Sequence, residues 1–111
     1  MKDTLIKELT ESSITRTSIS TNVLDKEYND LYDESYKLLF DSEIKEIKES
    51  KDINVFVHKK IKGIPPRIKF LIESREDAES IVDKAKFNSE IDVLNIFHTK
   101  YIEATSKLAI K

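Results

Sequence analysis

The stretch from Asp52 to Arg75 constrains the fold most strongly, because it contains the only glycine and both prolines of the 111-residue chain. A single glycine leaves little turn chemistry for a sheet. Asp52 is a favourable N-cap residue for a helix. The apolar residues that follow it recur at helical spacing, namely Ile53, Phe56, Val57, Ile61 and Ile64. This spacing predicts a helix that begins after Asp52.

The order Gly63, Ile64, Pro65 is typical of a helix end. Glycine readily adopts the left-handed conformation that follows many helices, and proline cannot donate the hydrogen bond that continues one. Pro66 can then begin a second helix. The apolar residues expected on the buried side of that second helix are Ile68, Leu71 and Ile72. We therefore predict a helix, a tight corner and a second helix.

A β-hairpin is the alternative for the same stretch. Apolar residues also alternate with a period of two within residues 53–61 and 67–73, and several of them are β-branched. Periodicity alone cannot separate a short strand from a short helix. We favour the helices because the helix-end signal is specific. The predicted fold is therefore an all-α antiparallel bundle of about four to five helices, with an α+β fold as the alternative.

The chain before this stretch divides into two parts. Residues 2–11 form a short amphipathic helix, and residues 12–21 are rich in serine and threonine, a composition that favours a flexible loop. We therefore predict a short helix and a flexible segment over residues 1–22, followed by a single helical domain over residues 23–111.

Helical spacing also predicts the other long elements. The helix of residues 23–49 either continues to its end or breaks near Asp41. Ser74 can restart the helix that follows the prolines if that helix does not run straight through. Asn88 or Ser89 is a suitable N-cap for the last helix. These positions account for the four to five helices of the predicted bundle.

The composition argues against several kinds of chemistry. Cysteine is absent, which removes disulfides and thiolate metal sites. Neither His58 nor His98 has another histidine or a glutamate three or four residues away, the spacing that helical metal sites use. A phosphate-binding loop needs more than one glycine. We therefore expect no metal, no cofactor and no enzymatic activity.

Charge is abundant but unevenly distributed. Charged residues make up 36% of the chain, yet the net charge is −2. Residues 25–52 carry ten acidic residues and five lysines, whereas residues 53–75 carry six lysines and arginines and one acidic residue. Such blocks predict faces that pair within the molecule, across a homodimer or with outside partners. No apolar run exceeds three residues, which predicts a cytoplasmic protein without a membrane span.

The basic block is the strongest candidate for a binding site. Its members Lys59, Lys60, Lys62, Arg67 and Lys69 surround the predicted corner. Such a cluster can neutralise phosphates or bind an acidic protein, and otherwise it is a solvated face or pairs with the acidic helix. The chain has only three arginines, which argues against base-specific recognition of DNA.

Three tyrosines form a second candidate site. Tyr28, Tyr32 and Tyr36 are spaced by four residues, so they lie along one side of a helix, with Asp30 and Asp33 beside them. One interpretation is that the rings line the edge of the core. The other is an acidic, tyrosine-rich ridge that binds a partner, since tyrosine is enriched at protein interfaces.

The predicted function is therefore non-catalytic. We expect an inhibitor, immunity factor, adaptor or regulator that binds a partner protein through the acidic tyrosine-rich helix, the basic corner or both, with a homodimer as one arrangement. The alternative is a nucleic-acid-associated protein that contacts phosphates through residues 58–75.

Overall fold

The computed structural model describes residues 2–11 and 26–107, and within these ranges the chain is an all-α bundle without strands. Its helices are α1 (Lys2–Thr10), α2 (Lys26–Glu49), α3 (Ile53–Asp77) and α4 (Ile81–Lys107). The predicted bundle is confirmed, and the hairpin alternative is wrong. The predicted flexible segment, residues 12–21, lies outside the described residues.

The helix α4 is the centre of the bundle. It packs along α2 and α3 and also contacts α1, whereas α2 and α3 approach each other only weakly. A helix of 27 residues is about 40 Å long at 1.5 Å per residue, close to the 44 Å length of the molecule. The flanking helices therefore share one central partner. No helix of the described ranges is both long and apolar enough to cross a membrane.

The link between α2 and α3 has the predicted start signal. α2 runs unbroken to Glu49, and the Ser50 hydroxyl then donates to the carbonyl of Ile47 at 2.8 Å. The Asp52 carboxylate accepts from the backbone N–H of Asn54 at 3.0 Å, which is an N-cap. The prediction that a helix begins after Asp52 is confirmed.

α3 does not end at the glycine. It continues through Gly63, Pro65 and Pro66, so the predicted corner is wrong. The apolar stripe crosses the prolines, since Ile64 and Leu71 are both buried. Proline inside a helix costs about 3 kcal/mol. Each fully buried aliphatic side chain contributes about 1.5–3 kcal/mol. The buried Val57, Ile64 and Leu71, with the half-buried isoleucines between them, together offset the cost of the two prolines.

Polar residues that were predicted to start helices lie inside helices instead. The Ser74 hydroxyl donates to the carbonyl of Phe70 at 2.9 Å, and the Ser89 hydroxyl donates to that of Lys86 at 2.8 Å. Asn88 is completely buried. A serine whose hydroxyl donates to a carbonyl of its own helix can lie inside that helix instead of capping it. The same holds for an asparagine whose amide is hydrogen-bonded in the core. The cap of α4 is Ser80, ahead of its first helical residue.

The main core cluster joins all four helices. Leu5 and Leu9 of α1 are completely buried in it, although α1 has only nine residues. The Lys2 ammonium group also donates to the carbonyl of Ser50, which ties α1 to the link after α2. The remaining buried members of the cluster are Ile47, Val57, Ile64, Val93, Phe97, Tyr101 and Ala104. A smaller cluster of Tyr28, Tyr32 and Ala85 forms a separate part of the core.

Candidate functional site

The tyrosines of α2 face the interior. Tyr28 and Tyr32 are 7% and 3% exposed. The Tyr28 hydroxyl accepts from the Asn88 amide at 2.8 Å, and the Tyr32 hydroxyl donates to the Asp92 carboxylate at 2.5 Å. The Asn88 amide oxygen in turn accepts from Arg75 of α3 at 2.7 Å. These rings therefore connect α2 to α4 and are not open to a partner in this fold.

The tyrosine column continues as a ladder of stacked rings. Neighbouring ring centroids are 6.0–6.5 Å apart from Tyr28 through Tyr32 and Tyr36 to Phe40. Burial, together with the Asp92 charge, raises the pKa of Tyr36 to about 12. The predicted site residues Asp30 and Asp33 stay at the surface. The structure thus separates the rings from the acidic groups that were predicted to share one ridge with them.

A buried carboxylate connects the three long helices. Glu43 of α2 is 6% exposed, and it accepts from the Tyr101 hydroxyl at 2.6 Å and from the Lys60 ammonium group at 3.0 Å. Burial raises the pKa of Glu43, while these two hydrogen bonds and the lysine charge oppose the rise. Burial and the Glu43 charge raise the pKa of Tyr101. Lys60 also approaches Glu46 to 3.7 Å, so the fold already uses this lysine.

Three lysines remain available on the outer side of α3. Lys59, Lys62 and Lys69 are exposed, and they form no ion pair with any described residue. Steps of three and seven residues place them on one side of the helix. We call these three lysines the basic face. Arg67 lies beside it but forms an ion pair with Glu90 of α4 at 3.2 Å.

A groove of about 480 Å³ lies next to the basic face and is called the α3 groove below. Phe56 and Ile64 of α3 and Leu94 of α4 supply its apolar lining. Lys59, Lys60 and Arg67 line it with positive charge, and Glu46 of α2 adds one carboxylate near Lys60. The groove therefore combines an apolar surface with cations, an arrangement that suits a ligand with both apolar and acidic groups.

Gly63 lines the α3 groove and is exposed. A Cβ atom at this position would meet no atom of the described residues within 4 Å, apart from its chain neighbours and the nearby backbone of α3 itself. Glycine within a helix costs about 1 kcal/mol relative to alanine. We therefore expect Gly63→Ala to raise the free energy of unfolding by about 0.5–1 kcal/mol. Urea unfolding followed by circular dichroism measures this change, and a destabilised variant would mean that the fold requires the glycine.

Two apolar residues are exposed on the same helix. Val55 and Phe70 are 62% and 54% exposed. The Arg67 guanidinium lies 5.3 Å from the centre of the Phe70 ring, a cation–π contact. Val55 also lines a second recess of about 420 Å³ with Lys59 and Lys62. Apolar groups thus accompany the lysines along much of α3.

The structure brings part of the predicted basic cluster together and adds neutral residues to it. Lys59, Lys60 and Arg67 line one groove, whereas Lys69 lies further along the basic face. Sequence reasoning missed Gly63 and Leu94 as parts of a site. The available signal was that the apolar spacing of α3 continues through Gly63. We instead interpreted the glycine as a helix end.

The described residues contain no group of three or more histidine, cysteine, aspartate or glutamate residues placed to hold a metal ion. The α3 groove offers charge and apolar surface to a ligand. Comparison with known proteins assigns no role to it: no protein-family model matches the chain, and no curated protein or solved structure matches it.

Proposed function

We propose that this chain is a non-catalytic protein-binding module that binds an acidic partner protein through the basic face and the α3 groove. Such a module acts as an inhibitor, an immunity factor, an adaptor or a regulator of its partner. The observation that carries the proposal is a set of three exposed, unpaired lysines on one side of α3, of which Lys59 also lines an apolar groove. The acidic tyrosine-rich helix has no part in it, since Tyr28 and Tyr32 are buried.

The charge of the basic face supports an acidic partner. Lys59 and Lys62 are three residues apart on one helix, where like charges repel each other by a few tenths of a kcal/mol. The described part of the chain supplies no carboxylate that pairs with them, although it pairs Lys60 and Arg67. Carboxylates of a partner would relieve this repulsion and would also accelerate the encounter of the two proteins.

The apolar groups support a protein over a nucleic acid. Three lysines that each neutralise one phosphate of a single strand give a salt-dependence slope of only about 2, which corresponds to weak binding. The groove lining of Phe56, Ile64 and Leu94 adds apolar area, and charged phosphates gain no binding energy from contact with such a surface. A protein interface uses both kinds of group, since it surrounds an apolar centre with a polar rim.

Reversing the charge of the basic face tests the proposal. We expect Lys59→Glu, Lys62→Glu and Lys69→Glu together to weaken partner binding roughly ten- to hundredfold, because exposed ion pairs contribute about 0.2–1 kcal/mol each and the new carboxylates repel the partner. The tagged chain and the triple variant would each capture partners from the native host lysate. Mass spectrometry would identify the captured proteins, and titration with the purified partner would measure affinity.

A matched control uses three other exposed lysines. Lys37, Lys45 and Lys86 lie on α2 and α4 and form no ion pair with described residues. Their reversal to glutamate changes the net charge by the same amount, so binding should be retained if the basic face is the site. Equal losses in both triple variants would mean that net charge alone determines binding, and would contradict the proposal.

The second candidate function is contact with nucleic-acid phosphates through the same lysines. The exposed ring of Phe70 favours it, since an aromatic ring can stack on a base. Nuclease treatment of the lysate separates the candidates. A partner protein that remains bound after nuclease treatment supports the protein-binding module, whereas loss of all captured material would support the nucleic-acid role.

A further inference from the structure

The α3 groove contains a glycine that the described fold does not need. Glycine is favoured where the backbone has an unusual conformation or where another group must come close to it. Gly63 lies within a continuous helix, and a Cβ there would meet no described atom within 4 Å. Neither reason applies among the described residues. The surface at Gly63 therefore leaves room for the close approach of a group from another molecule.

The fold limits which secondary structure the partner segment can have. The described residues contain no strand, so they offer no sheet edge to which an extended peptide could add. The α3 groove has an aliphatic and aromatic lining between helices, which is the setting in which an amphipathic helix binds. From Lys59 to Lys69 the axis of α3 rises about 15 Å, or nearly three helical turns. Carboxylates distributed over nearly three turns of a partner helix would match that length.

We infer that the partner segment is an acidic amphipathic α-helix that crosses α3 at Gly63, places apolar side chains in the α3 groove and directs carboxylates at Lys59, Lys62 and Lys69. This inference rests on the proposed function. Two helix axes lie 8–10 Å apart depending on the side chains at their contact. A glycine at the crossing point allows the shorter distance, so the partner's apolar side chains reach the groove.

A displayed library of random peptides tests the inference. Peptides of about 16 residues, which form about four helical turns, would be selected for binding to the full chain. We expect the selected peptides to carry apolar and acidic residues at steps of three and four. Their synthetic copies should bind Gly63→Leu at least roughly tenfold more weakly than the wild type, because the new side chain occupies the crossing point. Gly63→Ala, with one added methyl group, should weaken binding less.

The outcomes distinguish this inference from the proposed function. Peptides that lose binding when the basic face is reversed but bind Gly63→Leu normally, or that lack helical spacing, would overturn the helical partner and leave the protein-binding module in place. Selected peptides that bind the reversed basic face as well as they bind the wild type would overturn both. Circular dichroism of each variant would establish that the helices remain folded.

Discussion

Replacing Lys60 by methionine is expected to lower the free energy of unfolding by about 2–3 kcal/mol at neutral pH. Lys60 donates to Glu43, which is buried between α2, α3 and α4. Removing one member of a buried ion pair costs about 3–5 kcal/mol. The lysine side chain is 28% exposed, so solvent already screens part of this interaction and we expect a smaller effect.

The destabilisation by Lys60→Met should grow with pH. Burial raises the pKa of Glu43 above its ordinary value of 4.5, and loss of the lysine charge raises it further. The folded state then binds the Glu43 proton more tightly than the unfolded state. The resulting stabilisation is complete below pH 4.5 and is lost as the pH rises through the pKa of the folded state. Urea unfolding at about pH 5 and about pH 8 measures the difference.

Two controls isolate the buried carboxylate. Lys62→Met removes a lysine without an ion pair among described residues, and it should change stability by no more than about 0.5 kcal/mol. The double variant Glu43→Gln with Lys60→Met has no buried charge at this place, so its stability relative to the wild type should depend less on pH. A single variant Lys60→Met that is as stable as the wild type at both pH values would contradict the importance of this ion pair.

The outcome for α3 shows what local sequence signals can predict. The apolar spacing correctly indicated which side of the chain is buried, since Val57, Ile64 and Leu71 all lie in the interior. The helix end at Gly63 and Pro65 was a statement about local backbone preference. Local backbone preferences of a few kcal/mol are overridden when the residues on both sides of a proline pack in the same bundle. This packing cannot be predicted from the local sequence.

The polar core could not be predicted for a related reason. Asn88 and Glu43 have side chains typical of helix caps and surfaces, and both are buried. Each finds partners about sixty residues distant, Asn88 in Tyr28 and Glu43 in Tyr101. A single sequence gives no sign of such pairings. It did suggest that the tyrosine column lines the core, which is where the structure places Tyr28.

The candidate site also has one part that the local sequence could predict and one part that required the fold. The lysines could be identified from sequence, because a block of positive charge on a helix needs no knowledge of the fold. The groove could not, because it requires Leu94 of α4 to lie beside Ile64 of α3. The fold also decides which cations are available. Lys60 lines the groove but is held by Glu43, whereas Lys59, one position earlier, is exposed.

The two phenylalanines Phe97 and Phe70 should respond to alanine in opposite ways. Phe97 is 1% exposed, and its ring lies 5.4 Å from that of Phe40 and 6.1 Å from that of Tyr101. Phe97→Ala removes these contacts and leaves a cavity at the centre of the bundle. We expect it to lower the free energy of unfolding by about 3–5 kcal/mol.

Phe70→Ala is the matched substitution at the surface. Phe70 is 54% exposed, and the aromatic contact that it makes among the described residues is the cation–π interaction with Arg67. Such a contact contributes about 0.5–1 kcal/mol at an exposed site, which limits the loss of stability to about that amount. Since Phe70 adjoins the basic face, its truncation should weaken partner binding while the fold remains intact.

Urea unfolding of both variants, together with partner titration of Phe70→Ala, distinguishes core from interface. If Phe97→Ala is too unstable to fold, Phe97→Leu retains most of the apolar volume and should cost about 1–1.5 kcal/mol. A loss of several kcal/mol in Phe70→Ala would show that its ring supports the fold. Its exposed area would then no longer argue for a binding surface, because an exposed aromatic ring indicates a partner only when the folded chain does not depend on it.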